Sequence, residues 1–460
     1  MFNDTICAIA TPPGIGATAM IRISGVDAFK IAECLLSDGF SIDDLPANMA
    51  KFTSLYDKNN TYHEIDKLVD QVVFTKFVAP HSFTGENVVE ISCHGSIYIQ
   101  KKIIELLIHF GCRLALPGEF TQRAFLNGKL DLPQAEAISD LINAQSESAH
   151  TIAMNQLQGT LSTKLNSLRE ELLSIASLIE LELDFSEEDV EFADRQHLLS
   201  LLSNVEQEAN FLLKGFKSGN LLKHGVPVAI VGEPNVGKST LMNAILQRER
   251  AIVSDIPGTT RDTIEDFFYI NGILFRFIDT AGIRNSSDKV ERIGIERTFK
   301  TLSEAAILLY VFDSDDSEQV VLSNFNSLKL MTKLNTNSII LVANKSDKRS
   351  NSKEMLDEAI YISAKYGDNV DDLVKKIYSL VEKECISSNT SLVANERHYY
   401  HLNQIVETIE NVRNNIDLNI SADIVAEDIR SMLDNLGKIT GTISSDDILN
   451  NIFGKFCIGK

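Results

Sequence analysis

The stretch Gly232-Glu-Pro-Asn-Val-Gly-Lys-Ser239 decides the fold of the region around it. It follows the apolar run Val226–Val231, which is typical of a buried strand, and it precedes Thr240–Leu246, which has a helical pattern. A Walker A phosphate loop requires this order of strand, glycine-rich loop and helix. The backbone N–H groups of such a loop surround phosphate oxygens, and the helix N-terminus favours their negative charge. The sequence therefore predicts a P-loop nucleotide-binding domain.

The side chains of this loop predict how the nucleotide is held. Lys238 is expected to reach the β- and γ-phosphates, and the Ser239 hydroxyl is expected to ligate Mg²⁺. The residues of the loop and the following helix that are predicted to bind the nucleotide are Asn235, Val236, Gly237, Lys238, Ser239 and Thr240.

A second motif, Asn344-Lys-Ser-Asp347, predicts which base is bound. It ends the strand-like run Ser338–Ala343, and ligands of α/β sheets bind at that end of a strand. The Asp347 carboxylate can accept hydrogen bonds from guanine N1–H and the exocyclic amine, whereas adenine would leave it unpaired at a cost of about 1–3 kcal/mol. The tripeptide Ser363-Ala-Lys365 is expected to close over the base. The residues predicted to bind guanine, and so to specify GTP, are Asn344, Lys345, Asp347, Ser363, Ala364 and Lys365.

Two further motifs predict the switch segments of a GTPase. Gly258-Thr-Thr-Arg-Asp262 supplies the Thr260 hydroxyl to Mg²⁺ when the γ-phosphate is present, and Ile278-Asp-Thr-Ala-Gly282 ends a strand. Asp279 is expected to hold Mg²⁺ through water, and the Gly282 N–H to contact the γ-phosphate. Hydrolysis would remove these contacts and release both segments. The switch residues predicted to bind GTP or Mg²⁺ are Thr260, Asp279, Thr280, Ala281 and Gly282.

Ile283 occupies the position at which Ras-like enzymes carry a glutamine that orients the attacking water. An isoleucine cannot do this, so the chain must orient water and neutralise transition-state charge in another way. The candidates are an arginine, a carboxylate, or a monovalent cation held by the side-chain oxygen of Asn235. The charged candidates are Arg261, Arg284, Arg292 and Glu291.

Length and composition predict a multidomain protein of the cytoplasm. About three domains are expected from 460 residues. No apolar run approaches the ~18–20 residues that span a bilayer, which predicts no membrane association. Six cysteines without paired spacing predict free thiols in a reducing compartment. The net charge of −21 disfavours broad electrostatic binding to nucleic acid, so RNA would have to meet a local basic surface or a partner protein.

The periodicity of apolar residues divides the chain into three regions. Residues 1–118 mix strands with two helices, residues 119–221 and 385–460 are helical, and residues 222–384 form the predicted G domain. The G domain is thus expected to be inserted into a helical domain. The predicted elements are strands at 5–10, 19–23, 69–74 and 88–91 and helices near 28–36, 97–110, 135–142, 161–181, 403–436 and 445–456.

Motifs outside the G domain carry a resemblance to a known family. They are Asp4-Thr-Ile6, Ala10-Thr-Pro-Pro-Gly14, Ile21-Arg-Ile-Ser-Gly25, Ser82-Phe-Thr-Gly-Glu86, Cys93-His-Gly95, Pro117-Gly-Glu-Phe120, Arg123-Ala-Phe-Leu-Asn-Gly-Lys-Leu-Asp-Leu132 and Phe453-Gly-Lys-Phe-Cys-Ile-Gly-Lys460. With the G-domain motifs they cover the whole chain in one order, and the chain resembles the MnmE (TrmE) family of tRNA-modification GTPases. The alternative is a ribosome-assembly or regulatory GTPase of the Era/Der type, which shares the switch motifs but lacks the flanking segments.

The resemblance implies a fold and a set of partners. It implies a multidomain α/β and α protein with an N-terminal α+β domain like those that bind folate, a central helical domain and an inserted Ras-like P-loop GTPase domain. The N-terminal domain would form the homodimer. With the flavoprotein MnmG (GidA), in a heterotetrameric or larger complex, the protein would install a carboxymethylaminomethyl-type group on C5 of the wobble uridine of certain tRNAs. FAD would come only with the partner, and a tetrahydrofolate derivative (5-formyl or 5,10-methylene type) would supply the one-carbon unit.

The resemblance also assigns residues. Folate binding in the family maps onto Arg22, Glu90, Lys129 and Lys460. A potassium ion between the phosphate loop and the first switch takes the place of an arginine finger, and Glu291 matches the acid that orients the attacking water indirectly. The implied potassium ligands are the Asn235 side chain and backbone carbonyls near Ser254, Ile256 and Thr259, of which Ser254 and Thr259 also belong to the predicted GTP site. Asn235, Thr260 and Glu291 are the predicted catalytic residues.

Overall fold

The computed structural model describes residues 4–36, 41–42, 44–58, 68–184, 195–248, 265–279, 305–331, 338–349, 356–383, 395–418, 420–443 and 446–459. The chain divides into two compact units, Met1–Ser139 with Leu436–Lys460, and Asp140–Asn435. Each unit contains its own six-stranded sheet.

The elements alternate between strand and helix at the start and become helical in the middle of the chain. Up to residue 143 they are β1 (Ile6–Ile9), β2 (Thr18–Ser24), α1 (Ala28–Glu33), β3 (Ala50–Tyr56), β4 (Leu68–Phe77), β5 (Val88–His94), α2 (Ile97–His109), β6 (Arg113–Leu114), α3 (Glu119–Leu126) and α4 (Leu132–Asn143). They continue with α5 (Glu147–Leu157), α6 (Thr160–Asp184), α7 (Arg195–His224), β7 (Val226–Val231), α8 (Lys238–Arg248), β8 (Glu265–Ile270), β9 (Ile273–Asp279), β10 (Ile307–Asp313), α9 (Glu318–Met331), β11 (Ile339–Asn344), a 3₁₀ turn (Ser346–Lys348), β12 (Ala359–Tyr361), α10 (Val370–Val381), α11 (Glu396–Asp417), α12 (Ala422–Thr440) and α13 (Asp446–Phe453).

The sheet of the first unit has the strand order β3-β4-β5-β2-β1-β6, and only the β1–β6 pair is parallel. Its strands alternate between buried apolar residues and residues on the opposite face. Along β2, Ala19, Ile21 and Ile23 are buried in the core with residues of α1 and α2. The residues between them, Met20 and Arg22, therefore point to the other face of the sheet.

A charge network ties α3 to the loops beside this sheet. Arg123 is fully buried, and its guanidinium lies 2.8 Å from Asp4 Oδ1, 2.9 Å from Glu119 Oε1 and 3.2 Å from Glu86 Oε1. Arg113 contacts Glu119 from the exposed side at 2.6 Å. Burial by itself would raise the pKa of Glu119, but hydrogen bonds from Arg113, the Leu116 amide and Arg123 hold that pKa below its ordinary value.

The sheet of the second unit has the order β12-β11-β10-β7-β9-β8, and it is parallel except for the antiparallel β8–β9 hairpin. Strands β7, β10 and β11 are almost continuously buried, as expected for parallel strands covered on both faces. This is the P-loop α/β architecture that the strand–loop–helix motif predicts.

The helices of the second unit pack along regular apolar stripes. In α6 the residues Leu161, Leu165, Leu168, Leu172, Ile175 and Ile179 are buried at alternating spacings of four and three. In α11 the same pattern buries Leu402, Ile405, Ile409, Val412 and Ile416. Helix α7 carries its own stripe between them and contacts α5, α6 and α11. This packing joins helices that lie before and after the parallel sheet in the sequence.

The structure differs from the sequence predictions in several places. Strands β8 and β10 and helices α9 and α10 were not among the predicted elements, and the segment 403–436, predicted as one helix, is divided between α11, which ends at Asp417, and α12, which begins at Ala422. Strand β3 was not predicted because the first three residues of Ala50–Tyr56 are exposed at the edge of the sheet and show no alternation. Strand β6 has only two residues, too few for a pattern. Helix α11 begins at Glu396 rather than at residue 403, because the Asn395 side chain caps it by accepting a hydrogen bond from the Arg397 N–H at 2.9 Å.

Among the described helices, none is long and apolar enough to cross a bilayer.

The substitution Arg123→Met tests the buried charge network. Removing the guanidinium leaves Glu119 and Glu86 with less compensation in a buried environment, and we expect the free energy of unfolding of the first unit to fall by about 3–5 kcal/mol. Hydrogen exchange of the amides of β1, β2 and α3 in the full-length protein measures this free energy. Arg113→Met is the matched control, because that side chain is 42% exposed and leaves the Arg123 contacts in place. If Arg113→Met lowered the free energy of unfolding as much as Arg123→Met does, the burial of Arg123 would not explain the loss.

Candidate functional site

The parallel sheet brings the predicted GTP-binding motifs to one edge. Gly232 follows β7, Asp279 ends β9, Asn344 ends β11 and Ser363 follows β12 closely. Because these four strands run in the same direction, their carboxyl ends lie side by side at the edge where α/β sheets bind ligands.

The phosphate loop has the backbone conformation that the glycines predict. Asn235 and Gly237 both have positive φ angles, of 65° and 92°. At Gly232 a Cβ atom would overlap the Val311 carbonyl of the neighbouring strand β10. The Lys238 ammonium donates to the carbonyls of Gly232 and Glu233 at 3.0 and 2.9 Å, so the loop wraps around its own lysine. Ser239 and Thr240 are exposed at the start of α8.

The buried side chain of Asn344 connects the phosphate loop to the predicted base-binding loop. Its Nδ2 donates to the Val236 carbonyl at 2.8 Å, and its Oδ1 accepts from the Ala364 N–H at 3.0 Å. A Cβ atom at Gly237 would overlap this Nδ2, which gives a second reason for glycine at that position. The sequence places Asn344 in a guanine motif, and the structure shows that the residue holds two loops in register.

The predicted base site is formed at the far end of the same loop pair. The carboxylate of Asp347 is exposed, and its Oδ1 accepts a hydrogen bond from the buried Ser363 hydroxyl at 2.6 Å. The Ser346 N–H donates to the Ile362 carbonyl at 3.0 Å and fixes the two segments to each other. A carboxylate oriented in this way can receive the two donors of a guanine edge, as the sequence predicts.

Lys345 is held in an unusual backbone conformation beside this carboxylate. Its φ angle is 64°, and its ammonium lies 2.9 Å from Asp313 Oδ2 at the end of β10. Burial would raise the pKa of Asp313, but hydrogen bonds from Lys345 and the Asp315 N–H lower it below the ordinary value. Lys365 is exposed, with its ammonium 4.9 Å from the centre of the Tyr366 ring. Asp313 was not among the site residues predicted from the sequence. Its position at the end of the apolar run Ile307–Phe312 is the feature that would have indicated it.

In the first unit, Arg22 and Glu90 lie directly opposite each other on β2 and β5. The Arg22 Nη2 atom is 2.8 Å from Glu90 Oε1, and both side chains are largely shielded from solvent. The guanidinium lies 5.3 Å from the ring centre of Phe83 and 5.7 Å from that of Phe120. Two of the four residues predicted to bind folate are therefore paired with each other, on the sheet face away from the core.

The loop that carries Phe83 also contacts the third predicted residue. The Lys129 ammonium donates to the Pro80 carbonyl at 3.1 Å, and Asn127 Nδ2 donates to the Thr84 carbonyl at 2.7 Å. Arg22 and Lys129 thus both contact the segment 80–84. Phe83 belongs to the motif Ser82–Glu86, but the sequence predicts no role for its ring.

Comparison with known proteins decides the family. A family model described as the MnmE helical domain matches residues 132–457, and one described as the GTP-binding protein TrmE N-terminus matches residues 5–129. The chain belongs to the MnmE family of tRNA modification GTPases.

Individual members of the MnmE family match this chain from end to end. The protein named tRNA modification GTPase MnmE from Flavobacterium psychrophilum is 47% identical over 466 residues, which cover 100% of both chains. The protein of the same name from Porphyromonas gingivalis is 46% identical over 478 residues, covering 100% of this chain and 99% of the relative. A solved structure of the G domain of the T. maritima FeoB iron transporter aligns with 34% of this chain and 97% of its own, with 25% identity and a TM-score of 0.25.

Several of the predicted MnmE site residues lie outside the described residues. Asp279 is described only as the backbone end of β9. The others outside the described part of the chain are Ser254, Ile256, Thr259, Thr260, Thr280, Ala281, Gly282, Glu291 and Lys460, together with the arginines Arg261, Arg284 and Arg292.

Substitution of Asn344 tests whether its amide assembles the site of this MnmE family member. Asn344→Ala leaves the Val236 carbonyl and the Ala364 N–H unpaired, each at a cost of about 1–3 kcal/mol, and we expect GTP affinity to fall at least tenfold. Asn344→Asp keeps the acceptor for Ala364 but places a carboxylate against the Val236 carbonyl. Equilibrium titration with a fluorescent guanine nucleotide measures both.

A control removes a similar hydrogen bond elsewhere on the same unit. The exposed Asn369 donates from Nδ2 to the Tyr361 carbonyl at 2.9 Å and has a φ angle of 57°, which glycine accepts without strain. Asn369→Gly is expected to leave GTP affinity nearly unchanged. Comparable losses in Asn369→Gly and Asn344→Ala would show that Asn344 does not have a special role.

Proposed function

We propose that this protein is a potassium-dependent GTPase that, with the flavoprotein MnmG, installs an aminomethyl-type group on C5 of the wobble uridine of certain tRNAs. The observation that carries the proposal is the full-length match to proteins named tRNA modification GTPase MnmE at 44–47% identity. The Era/Der alternative concerns the G domain alone, whereas the matches extend through the N-terminal unit and the C-terminal helices.

The phosphate end of the site fits a triphosphate and Mg²⁺. Ser239 presents an exposed hydroxyl at the first turn of α8, next to the positive end of the helix. Lys238 occupies the loop centre through two carbonyl contacts that it can exchange for phosphate oxygens. Ser239, together with Thr260, would hold the ion, which when bound neutralises charge on the β- and γ-phosphates. Asp347 and Ser363 would hold guanine, and Asn344 would keep both ends of the nucleotide site at a fixed separation.

Potassium dependence is supported by the conformation of Asn235. Asn235 has a positive φ angle of 65° and an exposed side chain, so its side-chain oxygen is accessible to a cation. The remaining implied ligands, near Ser254, Ile256 and Thr259, belong to the predicted first switch. The cation would supply the positive charge that an arginine finger supplies in other GTPases.

The N-terminal unit is proposed to form the homodimer and to bind the tetrahydrofolate derivative. The Arg22–Glu90 pair and Lys129 support this, because they offer an anion-binding group, a hydrogen-bond acceptor and a second cation around the segment 80–84. Folate has carboxylates at one end and an amino–imino edge at the other, so both types of group have a use. We propose the boundaries 1–118 for this domain, 119–221 with 385–460 for the helical domain, and 222–384 for the G domain. The cytosolic location stays a prediction.

The substitution Asn235→Gly tests the cation site. Glycine accepts the positive φ angle, so the variant removes the side-chain oxygen without backbone strain. We expect GTP binding to stay within about threefold of the parent protein, because the backbone N–H groups that surround the phosphates are kept. Hydrolysis rates in KCl and NaCl measure the effect, and the stimulation by potassium is expected to disappear. Unchanged stimulation in Asn235→Gly would refute the site.

The modification role is tested by mass spectrometry of tRNA nucleosides from a strain that lacks the gene, compared with its parent. We expect the C5-aminomethyl-type uridines to be lost and to return with the intact gene but not with a Lys238→Ala copy, because this lysine holds the β- and γ-phosphates. If the wobble uridines of the deletion strain were unchanged, the proposed modification role would be refuted. Ribosome assembly would then be the better-supported function.

A further inference from the structure

One outer face of the helices in the second unit combines lysines with an exposed aromatic ring. Phe211, Lys214 and Lys217 follow one another at three-residue spacing on α7, so they are neighbours on one side of the helix, and all three are exposed. Residues 209–224 contain Lys214, Lys217, Lys223 and His224 but no aspartate or glutamate, in a chain whose net charge is −21. Because the chain as a whole is acidic, RNA could contact it only at a local basic surface, and this segment provides one.

The aromatic ring on this face remains accessible. Phe211 is 39% exposed, and the Lys164 ammonium of α6 lies 4.8 Å from its ring centre. Phe216 lies on the other side of α7, where it continues the buried stripe of Val205, Ala209 and Leu212 and stacks on Tyr399 of α11 with ring centres 4.3 Å apart. The basic–aromatic face is defined by Lys164, Phe211, Lys214 and Lys217.

The charges on this face are only partly compensated. Lys164 pairs with Glu208 at 3.3 Å, and Lys223 pairs with Asp140 at 2.8 Å. Within the described residues, neither Lys214 nor Lys217 has an acidic partner. The ammonium groups of Lys214 and Lys217, on the same side of α7 as the exposed Phe211 ring, are therefore available to a ligand that carries both negative charge and flat apolar surfaces.

We propose that the basic–aromatic face binds a single-stranded segment of tRNA, an inference that rests on the proposed function in tRNA modification. Bases stack on aromatic side chains irrespective of sequence, and lysines neutralise the phosphates between them. An acidic protein partner would use the lysines but would leave the exposed Phe211 ring without a role. Because the net charge of −21 repels a polyanion at long range, the contact is short-ranged and depends strongly on salt.

The test is fluorescence anisotropy of a labelled, unmodified tRNA transcript titrated with the full-length protein at salt concentrations from about 50 to 200 mM. The double variant Lys214→Glu, Lys217→Glu is expected to bind the transcript at least tenfold more weakly, because two phosphate contacts become repulsive. The slope of log affinity against log salt is expected to fall in magnitude by about one to two. Phe211→Leu keeps an apolar side chain but removes the ring, and about fivefold weaker binding is expected.

The matched control is Lys375→Glu, Lys376→Glu, which makes the same charge change on two exposed lysines of α10. It is expected to bind the transcript like the parent protein. All variants are expected to keep parental GTP hydrolysis without RNA, which shows that they are folded. Parental RNA binding by Lys214→Glu, Lys217→Glu would overturn the proposal, as would an equal loss in the control or absence of RNA binding by the parent protein.

A complementation experiment separates failure of this inference from failure of the proposed function. If the deletion strain keeps its modified uridines, the proposed function fails, whatever the anisotropy shows. A second outcome is that the deletion strain loses the modified uridines, while a gene copy with Lys214→Glu, Lys217→Glu restores them fully and its protein binds RNA with parental affinity. In that case only the assignment of this face is wrong. Reduced modification together with reduced RNA affinity supports both.

Discussion

The organisation of the nucleotide site depends on one buried side-chain amide. Asn344 satisfies a carbonyl of the phosphate loop and an N–H of the base loop at the same time, and both bonds lie in a dry environment where a missing partner is costly. The phosphate loop and the loop that carries Ala364 are therefore held together through this one side chain. The geometry also requires Gly237, because any side chain there would displace the amide.

In the first unit, a buried charged side chain rather than a neutral amide holds separate segments of the chain together. Arg123 is buried among carboxylates from three different segments, so the loop that contains Glu86 is fixed relative to α3. The same loop carries Phe83 against Arg22 and meets Lys129 at Pro80. A buried network thus supports the largely shielded pair of Arg22 and Glu90. The two side chains meet because the antiparallel register of β2 and β5 places their residues directly opposite each other.

In the second unit, the helices are joined to the parallel sheet that carries the phosphate loop. Helix α7 runs directly into β7, the strand that ends at the phosphate loop, and the Ser148 N–H of α5 bonds to the Gly272 carbonyl at the tip of the β8–β9 hairpin. The second unit therefore joins helices and sheet by covalent continuity and by hydrogen bonds. Its basic–aromatic face concentrates positive charge where the rest of the chain is negative, which restricts contact with a polyanion to a small area.

Local patterns were enough to identify the phosphate loop, the guanine motif, most strands and the helical stripes, because hydrophobic period, glycine position and motif spacing are properties of neighbouring residues. They also carried the family, since its motifs extend along the whole chain. The roles that needed the tertiary structure all depend on long-range contacts. The sequence assigned Asn344 to the base, but its partners Val236 and Ala364 are distant along the chain, and only the parallel order of β7, β11 and β12 brings them together. In the same way, Arg22 and Glu90 could be expected as separate surface charges, whereas the antiparallel register of two strands made them one ion pair.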